Sequence, residues 1–190
     1  MKNTFLLVCL MCLAAAGTST AQSFTYELDG EPVFTIDYPI GWTILTEKDE
    51  DLVERPDGVP PMPLLVTARP KSGLLWLGTW VMRKIDTFEE AEEYLRSLVG
   101  HLFKDVTTNR LEEGVHNGMT FRYYDGTAVK TTTGPNLKKD EEVDYFVAFF
   151  RPRNDLMGIA IYIGLPNASD KYGELLKETM NTITPVTSGK

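Results

Sequence analysis

Three stretches of this chain are apolar on both sides when read with the two-residue period of a β-strand. In Leu74 to Ile85, Leu75, Leu77 and Val81 fall on one side, and Trp76, Trp80 and Met82 on the other. Val143 to Arg151 reads Val-Asp-Tyr-Phe-Val-Ala-Phe-Phe-Arg, and Met157 to Gly164 reads Met-Gly-Ile-Ala-Ile-Tyr-Ile-Gly. A sheet with one wet face gives strict alternation, whereas strands apolar on both faces must be covered on both. These stretches therefore predict a sheet buried from above and below.

Helices are the natural cover, and two are legible. Thr87 to Phe103 opens with Thr87 and has Glu90 three residues on, the signature of a capping box. Glu89 and Glu90 suit the positive end of the helix dipole. Phe88, Ala91, Tyr94, Leu95, Leu98 and Leu102 form one apolar stripe at helical spacing. A second helix is expected from a cap at Asn167 or Ser169 to about Ile183, with Tyr172, Leu175, Leu176 and Ile183 facing inward. Residues from Thr184 onward are expected to fray.

The other strands follow from alternation and turn chemistry. Phe24 to Leu28 is a short strand before an Asp29-Gly30 turn. Val33 to Leu45 reads as a strand, a corner at Pro39-Ile40-Gly41, and a second strand opening on Trp42, a core anchor. Leu64 to Ala68 is a further core strand. Val106 to Glu113 and Met119 to Thr131 pair through His116-Asn117-Gly118, since Asn-Gly is a strong hairpin signal. Gly134 to Glu142 reads as a polar hairpin tip.

The amino terminus carries an export signature. Lys2 precedes the apolar run Phe5 to Leu13, and Ser19-Thr20-Ala21 fits a cleavage site before Gln22. The run is too short to span a bilayer of about 30 Å. Residues 1–21 are thus read as a signal peptide and 22–190 as one α+β domain. The product is expected to be periplasmic or secreted, without a membrane span, and monomeric. Both cysteines, Cys9 and Cys12, lie in the signal, so the mature chain offers no disulfide, thiol nucleophile or zinc-thiolate site.

A formal net charge of −8 with no basic stripe argues against nucleic acid and anionic membrane surfaces. The acidic, Pro-rich stretch Glu47 to Pro63 lacks the ligand order of an EF-hand loop. No metal or cofactor is expected. His101 and His116 read as isolated surface or satisfied histidines, and no Gly-x-Ser-x-Gly elbow is present.

The Tyr-Pro-Ile-Gly-Trp corner within Phe34 to Trp42 resembles the opening of PsbP-like domains. The later order is similar too: a Glu-rich helix after Thr87, a hairpin through Asn117-Gly118, two hydrophobic strands and a C-terminal helix. The resemblance covers about Phe24 to Ile183. It implies an antiparallel β-sheet flanked by helices on both faces, an α/β/α sandwich. Members of the family mainly bind, stabilise or assist assembly, and share no catalytic motif, so the resemblance supplies no catalytic residues.

The chain is therefore expected to be an exported, non-enzymatic binding or accessory module for a protein partner or a small apolar ligand. Candidate ligand-lining residues are Trp76, Trp80 and Tyr162, because Gly78 leaves room between the two indoles. A carboxylate- or metal-dependent hydrolase is the alternative, and would need two acids such as Asp37 and Asp144 to converge in a cleft. A third possibility is docking of an assembly partner on the acidic loop Glu47 to Asp57.

Overall fold

The computed structural model describes residues 21–48, 62–71, 73, 75–134 and 137–186. The expected signal segment before Ala21, and the acidic stretch from Asp49 to Pro61, lie outside the described residues.

The chain forms β1 (Ala21–Leu28), β2 (Glu31–Pro39), β3 (Thr43–Lys48), β4 (Leu64–Arg69), β5 (Leu75–Met82) and α1 (Phe88–Leu102). It continues through β6 (Lys104–His116), β7 (Met119–Gly134), β8 (Leu137–Arg153), β9 (Leu156–Gly164), α2 (Pro166–Asn181) and β10 (Thr184–Pro185). These strands make two sheets. The larger has the order β3-β4-β5-β9-β8-β7-β6, and the smaller the order β1-β2-β10. Among the described residues every strand pairing in both sheets is antiparallel.

The expected α/β/α sandwich is not what forms. The protein is mostly β, with two sheets and two helices among the described residues. One face of the large sheet packs under α1, burying Ala91, Tyr94, Leu95, Leu98 and Val99 with Trp80, Phe149, Ile159 and Ile161. The opposite face is covered by the small sheet together with α2: Phe34, Ile36 and Tyr38 pack with Leu176, Met180 and Ile183 against Phe121, Phe150 and Tyr162. The Pro39-Ile40-Gly41 corner explains the difference. Pro39 cannot donate to a ladder, Gly41 turns at φ 82°, and Trp42 N–H closes the turn on the Pro39 carbonyl at 3.3 Å. The corner thus carries the chain from one sheet into the other, and the apolar side of β2 supplies cover that a helix was expected to give.

Local signals fared better. Thr87 and Glu90 form the reciprocal capping box, and the helix ends at Phe103. Asn117 and Gly118 make the β6–β7 turn with φ 51° and 76°. The Asn117 side chain also donates to the Asn181 and Ile183 carbonyls at 3.0 and 2.9 Å, tying this turn to the end of α2.

Three boundaries differ. Helix α2 starts at Pro166 with Leu165 as its cap residue, not at Asn167 or Ser169; a missing N–H costs nothing at the first helical position. Thr184 and Pro185 do not fray but pair with Thr35 and Phe34 of β2. Strands β7 and β8 run on to Gly134 and Leu137. Opposite-sign and hydroxyl pairs support that extension: Lys130 faces Glu141, and the Thr131 hydroxyl donates to Asp140 at 2.6 Å. Beyond Val129 on one side and Asp144 on the other, these strands pair only with each other among the described residues, so the hairpin projects from the sheet as a two-stranded arm.

Candidate binding cleft

The large sheet separates the three residues singled out in the sequence. Trp76 and Trp80 lie on the α1 side, Tyr162 on the other. The Trp76 ring folds over Gly78, so that a Cβ there would run into it. The space between the indoles is thus taken by one of them. Trp80 is buried beside Tyr94; the indole N–H and the Tyr94 hydroxyl lie near each other without full hydrogen-bond geometry, and neither has another partner among the described residues. Burial pushes the Tyr94 hydroxyl up to about 12, with the nearby indole pulling weakly the other way.

Tyr162 does reach a cleft. At the base of the arm, a cavity of about 460 Å³ opens between β6–β8 and α2. Phe146, Tyr162, Leu176 and the half-exposed Leu111 give it apolar walls, and Asn109, Asp125, Asp144, Glu174 and Lys177 line it with polar groups. Strand register places the acids. Asp125 lies opposite Phe146 and Asp144 opposite Thr127, so the two aspartates are diagonal neighbours on one face. The Asn109 amide donates to Asp125 at 3.1 Å. From α2, Gly173 faces the cavity, and a Cβ there would meet nothing.

Lys177 is already engaged, 2.8 Å from Glu112 of β6. The hydrogen bond between them pulls the Glu112 carboxyl below its usual range and pushes the Lys177 ammonium up. Asp37, the other acid considered from sequence, lies on β2 and does not line this cleft; its backbone N–H donates to the Thr182 hydroxyl at 2.8 Å. Asp125, Glu174 and Lys177 had no local signature, because register and helix placement bring them together.

The opposite face holds a different polar cluster. Arg122 binds Glu89, Glu92 and Glu113 at 2.8, 3.3 and 2.7 Å and lies over the Phe88 ring. Burial disfavours its charge, but hydrogen bonds to Glu89 and Glu113 outweigh that and raise its pKa. Tyr124 donates to Glu92. This network is internally paired and ties α1 to β6 and β7.

Neither histidine lines the cleft. The His101 ring nitrogen lies 2.6 Å from the Ser97 carbonyl, and His116 packs edge-on against Phe121 and Tyr123. Among the described residues no group of three or more His, Cys, Asp or Glu is arranged to hold a metal ion. Among them, too, no helix is long and apolar enough to cross a membrane.

No protein-family model matches the sequence, and no curated protein matches it. Solved structures do. The cyanobacterial PsbP of Synechocystis sp. PCC 6803 superposes with a TM-score of 0.58 over 93% of this chain and 99% of that one, at 10% identity. A Pseudomonas aeruginosa protein of unknown function gives a TM-score of 0.46 over 87% and 99%, at 12% identity. The Saccharomyces cerevisiae Ran-binding protein Mog1p gives 0.44 over 86% and 95%, at 17% identity. At 10% identity what the chain shares with the cyanobacterial PsbP is the architecture, and the chain has a PsbP-like fold.

Proposed function

We propose that this chain is an exported, non-enzymatic binding module that engages a protein partner or a small, partly apolar ligand through the cleft between β6–β8 and α2. The observation that carries this reading is the cleft itself. It combines an aromatic and aliphatic floor with a few fixed polar groups, the usual composition of small-molecule and ligand sites. Gly173 adds to the argument. An interior helix glycine costs about 1 kcal/mol relative to alanine, no close approach requires one here, and its absent side chain keeps the cleft open. Export rests on Lys2 and the apolar run Phe5 to Leu13.

One observation favours a second reading. Asp125 and Asp144 share the cleft, as two acids of a carboxylate hydrolase would. The binding reading is preferred because no histidine lines the cleft among the described residues and its lysine, Lys177, is held by Glu112.

Native mass spectrometry of the protein purified from its own source tests the proposal. The mature mass should begin at Gln22 and carry a non-covalent excess that is lost on denaturation. The excess should fall in Gly173→Leu, which fills the cleft. A bare mass for both proteins, together with no ligand-induced shift of any cleft resonance in solution, would sink it. Turnover of ester, glycoside or peptide substrates that is abolished in Asp125→Asn or Asp144→Asn would move the assignment to the hydrolase.

A further inference from the structure

The cleft does not end at α2. A second cavity of about 430 Å³, lined by Asp105, Thr127, Glu142, Asp144 and Pro166 among others, shares Thr127 and Asp144 with the first. Together they form a continuous groove along the base of the β7–β8 arm. Among the described residues five carboxylates line it: Asp105, Asp125, Glu142, Asp144 and Glu174. Lys177 is the one cationic residue among the described lining residues, and it is held by Glu112.

Several acids elsewhere on this acidic chain are held by an arginine. Glu89, Glu92 and Glu113 share Arg122, Asp29 binds Arg83, and Asp155 binds Arg153. In contrast, the side chains of Asp105, Glu142 and Asp144 hold no hydrogen bond or ion pair among the described residues. Asp144 is only partly exposed, in the stretch shared by both cavities. Like charges set close on one sheet face repel, and among the described lining residues there is no free cation.

We propose that the groove binds an extended, basic segment of a partner protein, with lysine or arginine side chains at alternate positions. This rests on the binding-module reading and names its partner. Charge complementarity selects the occupant. Spacing selects an extended one: side chains two residues apart on a strand lie about 7 Å apart, and diagonal cross-strand neighbours such as Asp125 and Asp144 are separated by about 7–8 Å. The floor suits the same chemistry. Methylene stems pack on the half-exposed Leu111, and a guanidinium packs on the partly exposed Phe146 ring.

The test is a resonance titration of isotope-labelled residues 22–190 with a capped hexapeptide carrying lysines two residues apart. The same peptide with glutamates, and Nile red as a neutral apolar probe, serve as comparisons. The lysine peptide should shift the amides of Asp125, Thr127, Asp144 and Gly173, with affinity falling as salt rises. Asp125→Asn with Asp144→Asn should weaken it about tenfold. Gly173→Leu should weaken it without changing any charge, which covers the case in which the double variant misfolds. Absence of shifts, shifts scattered over the acidic surface, or affinity indifferent to both sets of substitutions overturns the inference. If Nile red still binds the cleft in that case, the binding-module reading stands; if it does not, both fall.

Discussion

The Tyr26 hydroxyl donates to the Leu64 carbonyl at 2.8 Å, joining the small sheet to the large one. The same oxygen accepts from the Val81 amide at 3.4 Å. The β4–β5 register, with Val66 opposite Thr79, would place Leu64 opposite Val81. The ladder stops short of that pair, and the phenol occupies the place of the missing bond. Tyr26→Phe should therefore cost about 1–3 kcal/mol, since it leaves two backbone groups without partners while keeping the packing. Urea denaturation measures it; a change within error would show that water replaces the hydroxyl.

Alkali should unfold the protein earlier than its core suggests. Burial pushes Tyr26, Tyr38 and Tyr94 up to about 12, whereas unfolded tyrosine ionises near 10. Their stabilising contribution is complete below about pH 10 and is lost as pH rises through about 12, because the unfolded chain releases protons that the native one retains. Melting temperature followed across this window should fall, with the tyrosinate absorbance appearing together with unfolding. Absorbance that rises while the fold persists would contradict this.

Arg122 should respond to shape more than to charge. Arg122→Lys keeps the charge but cannot fork to Glu89 and Glu113 together. It should lose about 1 kcal/mol, and Arg122→Met about 1–2 kcal/mol, discounted because Glu89 and Glu113 are well exposed. Thermal melts at low and high salt should show the gap between wild type and Arg122→Met narrowing as salt screens the exposed partners.

Two glycines should respond to alanine in opposite directions. At Gly126 a Cβ would run into the Thr107 carbonyl and the Tyr145 ring, so Gly126→Ala should destabilise by about 1–3 kcal/mol. At Gly173 nothing lies within reach, so Gly173→Ala should stabilise by up to about 1 kcal/mol. Denaturant midpoints of the two variants settle the sign at each position.

How much of this was legible depended on how local the signal was. Thr87 with Glu90, and Asn117 with Gly118, encode their structures within four residues, and both formed as read. The apolar side of β2 did encode burial, but alternation does not say which surface does the burying. Phe34 and Tyr38 could thus be placed in a core while the sheet holding them was misjudged. The cleft was less legible still. Tyr162 came from a two-sided strand, and Asp144 from a search for acids. Asp125 and Glu174 meet them only through the β7–β8 register and the seating of α2.

The small sheet also sets an order of events. Its central strand, β2, takes β1 on one edge and β10 on the other, so it is completed by residues from opposite ends of the described chain. A polypeptide is made from its amino terminus, and the β1–β2 hairpin exists long before Thr184 can pair with Thr35. Until then β2 has a bare edge, and the cover over Phe121 and Phe150 lacks Met180 and Ile183. Closing so long a loop carries an entropic cost that the local β1–β2 hairpin does not. The last described residues therefore act as a latch, and a nascent chain remains open to other strands until they arrive.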